Sequence, residues 1–108
     1  LVKGMAHITG GGLYDNIPRI LPNNLNAQII KSSWKPHKIY EYIENKGRID
    51  SDEMYRVFNM GIGYVFILPE DQLDAANNLL DKIIDQREIS QKILANGQNV
   101  TAVAIVKI

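Results

Sequence analysis

Apolar and polar positions along the chain change period several times, and each change predicts an element. Met5-Ala6-His7-Ile8-Thr9 predicts a short strand, stopped by Gly10-Gly11-Gly12. Beyond the glycines, Leu13, Ile17 and Ile20 or Leu21 recur at helical spacing. Asn16 is expected to cap the main part of that helix, with Pro18 in its first turn, where a missing N–H costs nothing. Leu21-Pro22-Asn23-Asn24 predicts a turn, and Asn26 to Ile30 a second strand.

The middle of the chain is more helical. His37 to Lys46 predicts a helix burying Ile39, Tyr40 and Ile43, with Gly47 suited to its left-handed exit. Asp50, followed three residues later by Glu53, predicts a capped helix from about Ser51 to Phe58. Asn59-Met60-Gly61-Ile62-Gly63 breaks it, and Tyr64 to Leu68 predicts a buried strand. Pro69 is expected to start the longest helix, with Leu73, Ala76, Leu80, Ile83 and Ile84 as its inward stripe. Ile89 to Leu94 fits a strand, with a helical alternative. Asn96-Gly97 predicts a turn, and Val100 to Ile108 is a near-continuous apolar run, expected at the centre of a sheet. Strands and helices mix without strict alternation, so the expected class is α+β: a mixed, mostly antiparallel sheet covered by helices.

Composition narrows the function. At 108 residues and 45% hydrophobic, the chain can form one domain with a modest core. Twelve basic and twelve acidic residues leave a net charge of +0, and so no long-range field to attract nucleic acid or an anionic membrane. The absence of cysteine excludes disulfides, thiolate catalysis and the usual structural zinc sites. No apolar stretch is long enough to span a bilayer as a helix, and Leu1-Val2-Lys3-Gly4 lacks the plan of a signal peptide. A cytoplasmic domain is expected. The chain has no initiator methionine and opens close to a strand, as a fragment of a longer protein would.

The strongest chemical signal is strand, three glycines, then helix, over His7 to Gly12. Glycines let several backbone N–H groups share one concavity and let a ligand approach without meeting a Cβ. Phosphate suits such a loop; a tight turn or close packing explains the glycines equally well, since neither a Walker loop nor a dinucleotide fingerprint is present. His7 could donate to a phosphate or move a proton near neutral pH, or serve as a structural residue. Thr9 offers a hydroxyl or simply favours a strand. Asn16 and Arg19 share a helical face; Arg19 could clamp an anion, or the two could be a cap and a solvated cation. Asn59 lies in the second glycine-interrupted turn and is open to either role. Asp50, Asp52 and Glu53 read as helix capping rather than a metal cluster, His37 as a surface residue at a helix start, and Trp34 as core or interface.

Gly4-Met5-Ala6-His7-Ile8-Thr9-Gly10-Gly11-Gly12, Asn16-Ile17-Pro18-Arg19, Trp34, Pro36 and Glu53 to Gly63 together closely resemble the aminoimidazole ribonucleotide synthetase (phosphoribosylformylglycinamidine cyclo-ligase) family. The match runs in order over more than half the chain; beyond Tyr64 it is one of pattern. Asp15 stands where glutamate is common and Tyr64 where methionine is common. The resemblance implies the carboxy-terminal domain, residues 1–108 and truncated at its start, of an ATP-dependent ligase of purine biosynthesis. In that reaction the amide oxygen of formylglycinamidine ribonucleotide is phosphorylated, a nitrogen attacks the activated carbon, and phosphate leaves as the imidazole ring closes. It implies ATP and magnesium, bound mainly by an amino-terminal domain not contained here, a homodimeric parent, and an inactive isolated fragment. His7 is the expected catalytic residue. Thr9, Gly10, Gly11, Gly12, Asn16, Arg19 and Asn59 are the expected substrate- or phosphate-binding residues, with no metal ligand among them. The alternatives are a sister enzyme of the same superfamily, such as formylglycinamidine ribonucleotide synthetase, or a non-catalytic phosphate- or nucleotide-binding module.

Overall fold

The computed structural model describes residues 2–83, 93–96 and 101–107. Its five strands are β1 (Gly4–His7), β2 (Asn26–Gln28), β3 (Ile62–Pro69), β4 (Ile93–Asn96) and β5 (Thr101–Lys107). They form one sheet in the order β1-β3-β5-β4-β2, and every neighbouring pair is antiparallel. The fold is therefore α+β, as expected, and the apolar run of β5 lies in the middle of the sheet. Four helices accompany it among the described residues: α1 (Gly12–Asn16), α2 (Lys38–Gly47), α3 (Ser51–Val57) and α4 (Leu73–Ile83).

The two-residue period of β1 and β3 sorts their side chains between two faces. β1 pairs with β3 from Gly4 opposite Ile67 to His7 opposite Tyr64. Ala6, Ile8, Val65 and Ile67 face the main core, where they meet Leu13, Ile17, Trp34, Met54, Tyr55 and Met60. On the other face, Leu68 packs with Leu73 and Ala76 of α4, with Phe66 alongside. Ile8 and Ile17, each 1% exposed, flank the glycine segment on either side. Burying each side chain contributes roughly 1.5–3 kcal/mol, so both ends of that segment are firmly anchored.

Several boundaries differ from the sequence expectation. Asn16 does not cap a helix that follows; it is the last residue of α1, and Pro18–Ile20 forms a separate 3-10 turn. The helix starts early because Gly11 and Gly12 take positive φ of 95° and 61° and turn the chain at once. Gly47 remains inside α2, and Arg48 makes the left-handed exit with φ 50°. Two bonds hold it there: Arg48 N–H donates to Asn45 C=O and Ile49 N–H to Glu44 C=O, the pattern of a Schellman ending. Ile39 is 57% exposed, so α2 turns only Tyr40 and Ile43 toward the core. Pro69 ends β3 instead of opening a helix, and Glu70–Gln72 forms a 3-10 turn before α4. Asp50 does cap α3, its side chain accepting from Asp52 N–H. Ile93–Asn96 realises the strand alternative for its stretch; Ile84, Ile89 and the Asn96-Gly97 turn fall wholly or partly outside the described residues.

Candidate functional site

The glycine loop begins where the β1–β3 ladder ends, at the bond from Ile8 N–H to Gly63 C=O (2.9 Å). Gly12 N–H then donates to Thr9 C=O (3.0 Å) and closes a tight turn. The three glycines are not equivalent. A Cβ on Gly12 would overlap the carbonyl oxygen of Tyr55 and stand 2.8 Å from that of Phe58, so Gly12 lets α1 pack directly on the end of α3. A Cβ on Gly11 would stand 2.5 Å from a carboxylate oxygen of Asp15. A Cβ on Gly10 would enter open space and meet no heavy atom within 4 Å. Both sequence readings therefore apply, to different residues: close packing at Gly12, accessibility at Gly10. Neither the Gly10 nor the Gly11 amide finds an acceptor among the described residues.

Two asparagines brace this loop. Asn16 is 5% exposed. Its Nδ2 donates to the carbonyls of Gly12 (2.7 Å), Thr9 (3.3 Å) and Gly10 (3.3 Å). Its Oδ1 accepts from Arg19 Nη1 at 3.5 Å, the long limit of such a bond. Asn59 lies across from it in the second glycine turn. Its Oδ1 accepts from Tyr40 Oη (2.8 Å) and from Gly61 N–H (2.9 Å), while Nδ2 reaches the Ile8 carbonyl at 3.5 Å. The same turn holds Met60 at φ 53° and Gly61 at φ 90°, and Trp34 Nε1 donates to the Met60 carbonyl (3.0 Å). Every polar atom of both asparagine side chains is thus engaged within the chain.

His7 and Thr9 are exposed. The His7 ring stacks on Tyr64, centroids 6.0 Å apart and planes 22° apart, on the sheet face away from the main core. Thr9, Gly10, Gly12, Asn16 and Arg19 are brought together, Asn59 joins them through Ile8, and His7 stands on the other side of the strand. Sequence reasoning missed Tyr40 as a partner of Asn59, and no spacing in the chain signals that contact. It also missed the carbonyls of Tyr55 and Phe58 as the reason for a glycine at position 12. Two clefts near α1 lie elsewhere. One, of about 300 Å³, runs between Leu13, Ile17 and Pro18 and the segment around Leu25 and Ala27; the other lies beside Arg19 and Ile67. Neither is lined by Gly10, Gly11 or Gly12.

The resolved electrostatic perturbations lie behind the loop, around α3. Lys31 Nζ bonds to Asp52 Oδ1 at 2.6 Å; this bond raises the lysine pKa and lowers that of the carboxylate. Both groups are largely solvated, so the pair is a weak support. Lys31 also lies over the Tyr55 ring, 4.4 Å from its centroid. Burial raises the Tyr55 pKa, opposed in part by Lys31. Among the described residues no group of three or more His, Asp or Glu side chains converges to hold a metal ion, and no helix is long and apolar enough to cross a membrane.

Residues 1–89 match the family described as AIR synthase related protein, C-terminal domain. Among curated relatives, the phosphoribosylformylglycinamidine cyclo-ligase of Pseudothermotoga lettingae is 52% identical over 82 residues, covering 76% of this chain and 23% of the relative. The Geotalea uraniireducens protein of the same name is 52% identical over 73 residues, covering 68% of this chain and 21% of the relative. That of Oceanobacillus iheyensis is 44% identical over 92 residues, covering 85% and 27%. The chain thus spans about a quarter of the length of the curated relatives it matches.

Proposed function

The chain belongs to the AIR synthase related family, through its C-terminal domain, and from that premise we propose that it is the carboxy-terminal part of a phosphoribosylformylglycinamidine cyclo-ligase. On this reading it works in purine biosynthesis, in the cytoplasm, and joins an amino-terminal domain that supplies most contacts to ATP and magnesium within a homodimer. The observation that carries the site assignment is the Gly10-Gly11 stretch: Gly10 is sterically open, and the amides of both residues have no acceptor among the described residues. An anionic oxygen of substrate or of the transferred phosphate suits such donors, because backbone N–H groups fixed by a rigid frame stabilise charge without reorganising.

The residues divide the work. The Gly10 and Gly11 amides and the Thr9 hydroxyl face the anion, and Arg19, at the rim, adds positive charge. Gly12 and the two asparagines hold the loop in shape, and His7, on the other side of β1, is the proton or hydrogen-bond donor to a part of the substrate that extends to that side. ATP supplies the phosphoryl group that makes an amide oxygen a competent leaving group. Most of the protein's contribution is positioning and charge neutralisation, as in other phosphoryl transfers. An open loop also fits a cleft that a second domain completes.

Complementation tests the reading. A bacterial strain blocked at ring closure should grow when given this chain together with the amino-terminal part its relatives carry, and should not grow on the 108 residues alone. Failure of the longer protein to restore growth, while it is expressed in soluble form, would overturn the assignment. Growth on the 108 residues alone would refute the division of labour between domains.

A further inference from the structure

We infer that Asn16 and Asn59 are positioning residues, which aim the loop amides outward by holding the loop carbonyls inward. The inference rests on the cyclo-ligase reading only for what the loop binds; the geometry stands by itself. A trans peptide is planar, and its C=O and N–H point in opposite directions. No described peptide is cis. Fixing the carbonyl of residue i therefore fixes the direction of the amide of residue i+1.

Asn16 Nδ2 draws in the carbonyls of Thr9 and Gly10, and so turns the N–H groups of Gly10 and Gly11 the other way, toward the open side. Asn59 Nδ2 reaches the carbonyl of Ile8 and orients the Thr9 N–H in the same manner. Gly12 N–H is the exception, being spent on Thr9 C=O to close the turn. The loop thus presents a short row of donors on one side and a braced row of acceptors on the other. Glycine at 11 permits the required positive φ, but glycine leaves the peptide planes free to rotate. The asparagine amide groups remove that freedom. A side chain that both donates and accepts is needed: Asn16 donates to the loop and accepts from Arg19, and Asn59 donates to Ile8 while accepting from Tyr40 and Gly61.

The charge logic selects asparagine over aspartate. A carboxylate at either position would be the same size, but it would face carbonyl oxygens with lone pairs and no proton. At position 59 the exchange is selective, because a carboxylate would still accept from Tyr40 and Gly61 and lose only the bond to Ile8. Tyr40 then serves as a control: Tyr40→Phe removes one donor to Asn59 Oδ1 while Gly61 N–H still orients the amide group, and it touches no loop carbonyl.

Two measurements test the inference. In the unsubstituted chain, amide hydrogen exchange by NMR should show Gly12 protected, with Gly10 and Gly11 exchanging at least tenfold faster; the reverse order would overturn the geometry. In the longer protein, Asn16→Asp and Asn59→Asp should each raise KM for the ribonucleotide at least tenfold, and Tyr40→Phe should leave KM within twofold while lowering the melting temperature. Asparagine variants that fold yet keep KM within twofold, and leave the amide shifts of residues 9 to 11 as in the parent, would refute a positioning role. Should Asn16→Asp fail to fold, Asn59→Asp and the exchange order still decide the matter. A longer protein with no turnover at all would count against the enzyme assignment, and the exchange order would still judge the loop.

Discussion

Gly12→Ala adds one methyl group where α1 meets the end of α3, and its cost can be worked from the coordinates. The new Cβ would overlap the Tyr55 carbonyl oxygen and crowd that of Phe58 at 2.8 Å. Both obstacles are backbone atoms at the end of a helix, so neither can rotate away, and α1 and α3 must separate. Relieving such overpacking costs typically about 1–3 kcal/mol. The φ of 61° adds the left-handed penalty of an L-residue, roughly 1–2 kcal/mol. The sum is about 2–5 kcal/mol. For a domain of this size each kcal/mol lowers the melting temperature by about 4–8 °C, so a fall of at least about 8 °C is expected by circular dichroism or urea unfolding. Gly10→Ala is the matched control: it meets nothing within 4 Å and should stay within about 0.5 kcal/mol of the parent. Equal losses from both substitutions, or a Gly12→Ala variant as stable as the parent, would refute the division of the loop into a packed and an open glycine.

Three further outcomes follow from single contacts. Asp50→Ala removes the acceptor for Asp52 N–H at the start of α3 and should cost about 1 kcal/mol in urea unfolding, as lost caps do. Trp34→Phe leaves the buried Met60 carbonyl without its donor and should destabilise by about 1–3 kcal/mol, with altered NMR shifts at Asn59 and Gly61. Burial raises the Tyr55 pKa, so the stability its neutral phenol contributes is complete below the unfolded value of 10.0 and is lost as pH rises through the higher folded one. The melting temperature should therefore fall less steeply above pH 10.0 in Tyr55→Phe than in the parent, and an unchanged slope would count against this burial effect.

The sheet was legible because its strands carry their own evidence. β3 and β5 are apolar runs bounded by breakers, and the β1 segment stops at glycines. The helix boundaries were less so, for local reasons. Asn16 followed two residues later by Pro18 matches a capped helix start, and only the positive φ of Gly11 and Gly12 reveals that the helix has already been made and ended. Gly47 suggested a left-handed residue, yet the hydrogen bonds of the α2 ending place that conformation one residue later, on Arg48. At the site, residue types announced a loop with unusual backbone freedom and polar neighbours. They did not reveal which way each asparagine amide points, since that depends on contacts such as Asn59 with Tyr40, set by how separate segments pack.

The placement of β5 has a consequence for how the molecule comes into being. It is made last among the five strands yet separates the β1–β3 pair from the β4–β2 pair. Until residues 101–107 leave the ribosome, the two halves of the sheet have nothing to join them. The growing polypeptide must therefore keep an apolar slot beside β3 vacant throughout synthesis, during which a stray strand from another molecule could enter it. Sealing that slot pairs residues well separated in sequence, from Thr101 with Pro69 to Lys107 with Ile62, and such non-local pairing is a slow kind of step.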